Sequence, residues 1–93
     1  MSLRFEWDDA KARTNFRKHK VSFEEAKTVF NDPVLVTYLD TAHSDEELRF
    51  VNIGQSDRGR VLIVIHTERN DITRIISSRK ATSAERAVYE QGI

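Results

Sequence analysis

The chain has 93 residues, 39% hydrophobic and 32% charged, with fifteen Lys+Arg balanced by fifteen Asp+Glu and no cysteine. That profile suits one ordinary globular domain, residues 1–93, with a small core. It excludes a disulfide scaffold, a thiolate metal site and thiol chemistry. No apolar run is long enough to span a bilayer, and the opening MSLRFEWDD places acids where a secretory leader needs an apolar core, so a cytoplasmic protein is expected.

Leu3, Phe5 and Trp7 alternate with Arg4 and Glu6, the period of a short strand. Asp8 or Asp9 can cap a following helix to about Lys18, with Ala12 and Phe16 at i, i+4 on its buried side. Val21-Ser22-Phe23-Glu24-Glu25-Ala26 is a capping box, and the helix it opens stops at Asn31-Asp32-Pro33. Strands follow. Val34 to Asp40 is rich in β-branched and aromatic residues; after the polar link Thr41 to Asp45 comes Glu47 to Gln55, then the turn Ser56-Asp57-Arg58-Gly59. Val61 to Thr67 is nearly all aliphatic and reads as a central strand. Glu68-Arg69-Asn70-Asp71 is a hairpin connection into a last strand that opens at Ile72 and ends at Arg79-Lys80. Thr82-Ser83-Ala84-Glu85 is a second capping box, starting a helix that stops near Gly92. The expected architecture is α+β, in the order β-α-α-β-β-β-β-α, with an antiparallel meander carrying the helices.

Net charge is zero, so overall electrostatics do not argue for nucleic-acid binding, but the distribution is uneven. Residues 1–48 hold seven Lys+Arg and ten Asp+Glu, whereas residues 49–93 hold eight and five, and seven of those eight cations are arginine. Arginine is the side chain suited to bidentate phosphate contacts. Arg79 and Lys80 stand just before a capped helix whose free N–H groups also favour an anion, which makes that junction a plausible phosphate-handling corner.

Many residues together resemble the BrnT family. They are Phe5-Glu6-Trp7-Asp8, Lys11, Asn15, Lys18-His19, Val21 to Ala26, Val29-Phe30 and Asp32-Pro33 at the start. Asp40, His43-Ser44, Glu47, Arg49 and Ile53 to Ser56 carry it through the middle. Glu68-Arg69, Arg74 to Ser77, Arg79 to Thr82 and Glu85-Arg86 complete it. The resemblance implies a RelE-like fold, a ribonuclease toxin of a type II toxin–antitoxin pair that arrests translation, and neutralisation by a ribbon-helix-helix antitoxin, BrnA. Such pairs repress their own operon, so operator DNA is met only through the antitoxin. Two positions depart from the family pattern. Lys20 stands where glycine usually follows the Lys-His pair, which strains the turn if that position needs a positive φ. Ser78 stands where alanine usually precedes the arginine.

A ribonuclease without a metal uses the RNA 2′-OH as nucleophile and needs a base, an acid and cations around the phosphorane. Arg79 is read as gripping the scissile phosphate and Lys80 as supplying charge or a proton. The alternative is that both cap the sheet end and pair with Glu85 or Asp71. His43, with Asp40 before it and Glu47 at i+4, is the candidate general base, since imidazole titrates near neutrality. His19 suits a helix C-terminus, and His66, inside the aliphatic strand, is either a core histidine or opens onto the cleft. Arg49, Arg69 and Arg74 are candidate RNA-backbone contacts, with salt bridges as the bland reading. Strand alternation puts Arg74 and Arg79 on opposite faces if the strand is regular. Trp7 is a candidate base-stacking platform, as is Tyr89, with packing the alternative use. Asp40, His43 and Glu47 supply no motif of metal-ligand spacing, and neither a metal nor another cofactor is expected. The rival function is a non-catalytic module that binds the antitoxin and acts only in operon autoregulation.

Overall fold

A computed structural model of the chain describes residues 3–91. The expected helix stop at Gly92 lies outside the described residues. In chain order the elements are β1 (Phe5–Glu6), α1 (Asp9–His19), α2 (Phe23–Ala26) running on as a 3-10 helix (Lys27–Asn31), β2 (Val36–Leu39), β3 (Arg49–Gln55), β4 (Val61–Arg69), β5 (Ile72–Lys80) and α3 (Ser83–Gln91). The five strands form one sheet in the order β1-β5-β4-β3-β2. The sheet is mixed rather than the expected antiparallel meander. β1 pairs with β5 in parallel, because α1, α2 and three strands intervene before the chain returns beside its own start. Among the described residues no helix is long and apolar enough to cross a membrane.

Local chemistry explains most boundaries. Asp8 caps α1 by accepting from the Lys11 N–H at 3.0 Å, and the helix ends at Lys20, whose φ of 59° is left-handed. Lysine therefore occupies the kind of position that glycine fills at least cost. Ser22 caps α2 through the Glu25 N–H at 3.0 Å, yet the Glu25 carboxylate does not complete the box. It accepts instead from Ser56 Oγ at 2.7 Å and Arg60 Nε at 2.9 Å, tying α2 to the β3–β4 turn. The Arg60 hydrogen bond holds its carboxyl below the usual range against the opposing effect of burial. At α3 the box is complete: Glu85 N–H donates to Thr82 Oγ1 at 3.2 Å and Thr82 N–H to Glu85 Oε1 at 2.8 Å. The β4–β5 turn places Asn70 and Asp71 at positive φ, as a two-residue hairpin of this hand demands.

The two sheet faces are covered unequally. On one, α1, α2 and the 3-10 helix bury Val21, Phe23, Ala26 and Val29 against Leu62, Val64 and Ile75. Gly54 allows close packing there, since a Cβ would lie 2.8 Å from Leu35 Cδ1 and 3.1 Å from Val29 Cβ and would make both side chains shift. On the other, only α3 packs, through Tyr89 over Val51, Ile53 and Ile63. Tyr89 is thus a core residue rather than a stacking platform. Its hydroxyl donates to Asp32 at 2.5 Å, and burial with that bond pushes the phenol up to about 12.

One expected burial is corrected. Phe16 is 50% exposed and its neighbour Asn15 is buried in its place. Asn15 Nδ2 donates to Val21 O at 3.0 Å and Ser78 O at 2.8 Å, while its Oδ1 accepts from Ser78 N–H at 3.1 Å. These three bonds set the rotation of α1, and one residue further on the side chain swings about 100° away.

Candidate functional site

Strand pairing determines which side chains share the face left open by α3. Partners across a ladder point the same way, so Glu6, Arg74, Thr67 and Arg49 form one transverse row. Ser77, Ile65, Val51 and Tyr38 form the next, and Arg79, Ile63, Ile53 and Val36 the third, beneath α3. Arg74 and Arg79 therefore lie on one face, not on opposite faces. The cause is a β-bulge: Ile75 pairs with His66 and Ser77 with Ile65, so Ile76 is an unpaired extra residue that reverses the alternation. The two arginines still do not meet at one phosphate, because four residues of β4 separate their partners, roughly 13 Å. Arg49 lies two strands from Arg74, about 10 Å away.

Three of the four arginines on this face are paired. Arg69 grips Glu47 in a fork at 2.6 and 2.8 Å. Arg74 reaches Glu6 at 2.8 Å, and Arg79 holds Glu85 at 2.7 and 2.8 Å. Arg49 makes no ion pair among the described residues. The Arg69 hydrogen bond lowers the Glu47 pKa, and the Arg79 bond takes Glu85 down to about 2. Glu6, Glu47 and Glu85 offset three of these four guanidinium groups, and Asp40, Asp45 and Glu46 add further negative charge at the rim around Arg49. The Arg69–Glu47 pair is open to solvent, whereas the Arg74–Glu6 pair is half-buried. Arg79 is held more firmly, because its partner is also the capping residue of α3.

At the rim of the same face stands His43, in the segment between β2 and β3. Its Nδ1 lies 3.1 Å from Asp40 Oδ2. An ionised carboxylate only accepts, so Nδ1 donates, which in the neutral ring makes Nε2 the acceptor. Ser44 braces the segment, donating to Asp40 O and accepting from the Arg49 N–H at 3.0 Å. His43 and Arg49 line one pocket of about 290 Å³ with Asp45, Glu46 and Glu47. A histidine hydrogen-bonded to a carboxylate and an unpaired guanidinium thus share a concavity whose other lining residues are acidic. Among the described residues no three His, Asp or Glu groups, including Asp40, His43 and Glu47, are placed together to hold a metal ion.

Other anticipated residues are not brought here. Lys80 follows Arg79 and faces the other way, where it lines a pocket of about 380 Å³ with Gly59, Arg60, Val61 and Arg86. The junction therefore does not present Arg79 and Lys80 as one cationic unit. Trp7 packs edge-on to Phe23, ring centroids 5.9 Å apart, on the helical side of the sheet. His66 is a core histidine. It stacks on Phe50 at 5.1 Å, its Nδ1 meets Asn52 Nδ2 at 2.7 Å, and burial lowers its pKa while Glu68 acts the other way.

Tyr38 is the residue that sequence reasoning passed over. It is 48% exposed in the middle row, between the row of Arg74 and Arg49 and the row of Arg79. Its alternation with Val36 was the available signal, since both must share a face.

The sequence model of one family, described as the ribonuclease toxin BrnT of a type II toxin–antitoxin system, matches residues 7–85. A crystal structure at 1.1 Å of the Brucella abortus ribonuclease toxin BrnT is similar in fold: the TM-score is 0.67 at 20% identity, covering 88% of this chain and 100% of that one. No curated protein matches the chain significantly. The match over most of its length, on an α+β fold shared with a solved BrnT, places this chain in the BrnT family of ribonuclease toxins of type II toxin–antitoxin systems.

Proposed function

We propose that the chain is a metal-independent endoribonuclease that cuts RNA on the arginine-bearing sheet face and so inhibits translation. The observation that carries this reading is the convergence of Arg49, Arg74 and Arg79 with the Asp40–His43 pair around one face that a single helix covers only in part. His43 Nε2 takes the proton from a ribose 2′-OH, whose oxygen then bonds to the adjacent phosphorus. The P–O5′ bond breaks, O5′ takes a proton from water on the open face, and a 2′,3′-cyclic phosphate remains. Arg49 neutralises the phosphorane beside His43, Arg74 and Arg69 hold neighbouring phosphates in place of Glu6 and Glu47, and Arg79 anchors the strand at the α3 end. Tyr38, central and exposed, supplies a stacking surface for a base. Lys80 and Trp7 have no part in this arrangement, since Lys80 alternates away from Arg79 into a separate pocket at the end of the sheet and Trp7 packs under α1 and α2.

The reading treats residues 1–93 as one cytoplasmic toxin domain of RelE-like architecture. It is neutralised by a BrnA-type ribbon-helix-helix antitoxin through which the pair meets its operator DNA. Antitoxin-free protein incubated with RNA at neutral pH tests it. Cleavage that survives chelator supports metal-independent chemistry, and cleavage abolished by chelator overturns it. One observation favours a second reading, a non-catalytic antitoxin-binding module: Glu47, Glu6 and Glu85 already neutralise three of the four arginines. Absence of cleavage by folded protein supports that alternative.

A further inference from the structure

On the far side of the sheet, α1 and the start of α2 enclose an open groove of about 480 Å³. Trp7, Ala12, Phe16 and Phe23 supply its apolar lining, Arg13 and Arg17 its cations, and Glu24, already paired with Lys27 at 3.0 Å, its one carboxylate. Phe16 is half exposed in mid-helix and cannot turn inward, because the three hydrogen bonds of Asn15 lock the rotation of α1. The groove is therefore a permanent feature of the fold, not a gap awaiting closure.

Charge identifies its occupant. α1 and its cap carry Lys11, Arg13, Arg17, Lys18 and Lys20, and none of these makes an ion pair among the described residues. Arg60, Arg69, Arg74 and Arg79 hold carboxylates, whereas among the described residues Arg4, Arg49, Arg58 and Arg86 stand singly; what sets α1 apart is five unpaired cations on one helix and its cap. Arg13 and Arg17 are at i, i+4, neighbours on one stripe of the helix beside the apolar lining. We infer that this groove anchors an acidic amphipathic helix of the antitoxin. Two apolar side chains at i, i+4 enter between Trp7 and Phe16, and flanking Asp or Glu meet Arg13 and Arg17.

The inference rests on the family reading, since the partner is the antitoxin of the pair. It adds that the anchor lies across the sheet from the RNA face. Capture of the toxin and blockade of its RNA face are then separable contacts.

The test measures affinity of the toxin for the purified antitoxin encoded beside it, by titration calorimetry, for Phe16→Ala and for Arg13→Glu/Arg17→Glu. Far-ultraviolet circular dichroism and melting temperature confirm folding. Each variant is expected to weaken antitoxin binding by about 10- to 100-fold, mainly through faster dissociation, while RNA cleavage by the free variants equals that of the parent. Undiminished affinity in both folded variants overturns the inference. Loss of RNA cleavage with antitoxin affinity intact also overturns it and makes the groove an RNA surface. If the parent chain cuts no RNA yet the variants still lose antitoxin, the enzymatic proposal fails and the anchor stands.

Discussion

Replacing Arg49 by alanine separates catalysis from stability more cleanly than any other substitution on the sheet face. Its guanidinium is exposed, makes no ion pair among the described residues and lines the His43 pocket, so its removal orphans no carboxylate. Unfolding free energy should change by less than about 0.5 kcal/mol, as for ordinary surface sites. A charge-assisted hydrogen bond to phosphate contributes about 1.5–3 kcal/mol, so kcat/KM for a short RNA should fall by roughly 10- to 150-fold. The slope of log kcat/KM against log salt should also become shallower by about 0.7, the loss of one phosphate contact on a single strand. Arg79→Ala should behave differently, because it strips Glu85 of its partner and weakens the α3 cap, giving a measurable loss of stability alongside lost activity. A folded Arg49→Ala protein that cuts RNA at the parental rate, with an unchanged salt slope, would refute the placement of the scissile phosphate beside His43.

Three further outcomes concern the scaffold. Asn15→Ala leaves the Val21 and Ser78 carbonyls and the Ser78 N–H without their partner, and denaturant unfolding should show a loss of about 2–4 kcal/mol. Lys20→Gly relieves a left-handed backbone at a φ of 59°, and should stabilise the chain by about 0.5–1 kcal/mol in the same assay. Acid should act through the groups whose folded pKa values are depressed, His66 and Glu85 among them beside Asp8, Glu25, Asp32 and Glu47, and each favours folding at higher pH. The His66 contribution is complete above its ordinary 6.5 and declines as pH falls below it; that of Glu85 is complete above 4.5 and is lost as pH falls through about 2. Glu85→Gln should flatten the lower limb of a plot of stability against pH, and an unaltered limb would contradict that assignment.

The sequence disclosed local structure better than long-range geometry. The capping motif Thr82–Glu85 and the turn at Asn70-Asp71 are written in neighbouring residues and found where those residues place them, whereas the left-handed Lys20 is signalled only by the family resemblance, through the glycine usual there. The phase of α1 is not written locally, because apolar spacing alone favours Ala12 with Phe16. Asn15 prevails through bonds to Ser78, 63 positions away. The bulge at Ile76 is equally invisible in the run Ile72 to Lys80, yet it decides that Arg74 and Arg79 share a face. The partners of the arginines lie further off still: Glu6 is 68 residues from Arg74 and Glu47 is 22 from Arg69. Residue type pointed to cations and a histidine; only the fold separated Lys80 from Arg79 and brought Tyr38 among the arginines.

Where RNA lies on this protein is best tested by nuclear magnetic resonance, titrating a short single-stranded RNA whose 2′-hydroxyl groups are methylated so that it binds without being cut. Chemical-shift changes concentrated at Tyr38, His43, Arg49 and Arg74, with Arg13, Phe16 and Arg17 undisturbed, are the predicted result. Changes confined to α1, with the sheet face silent, would contradict the account.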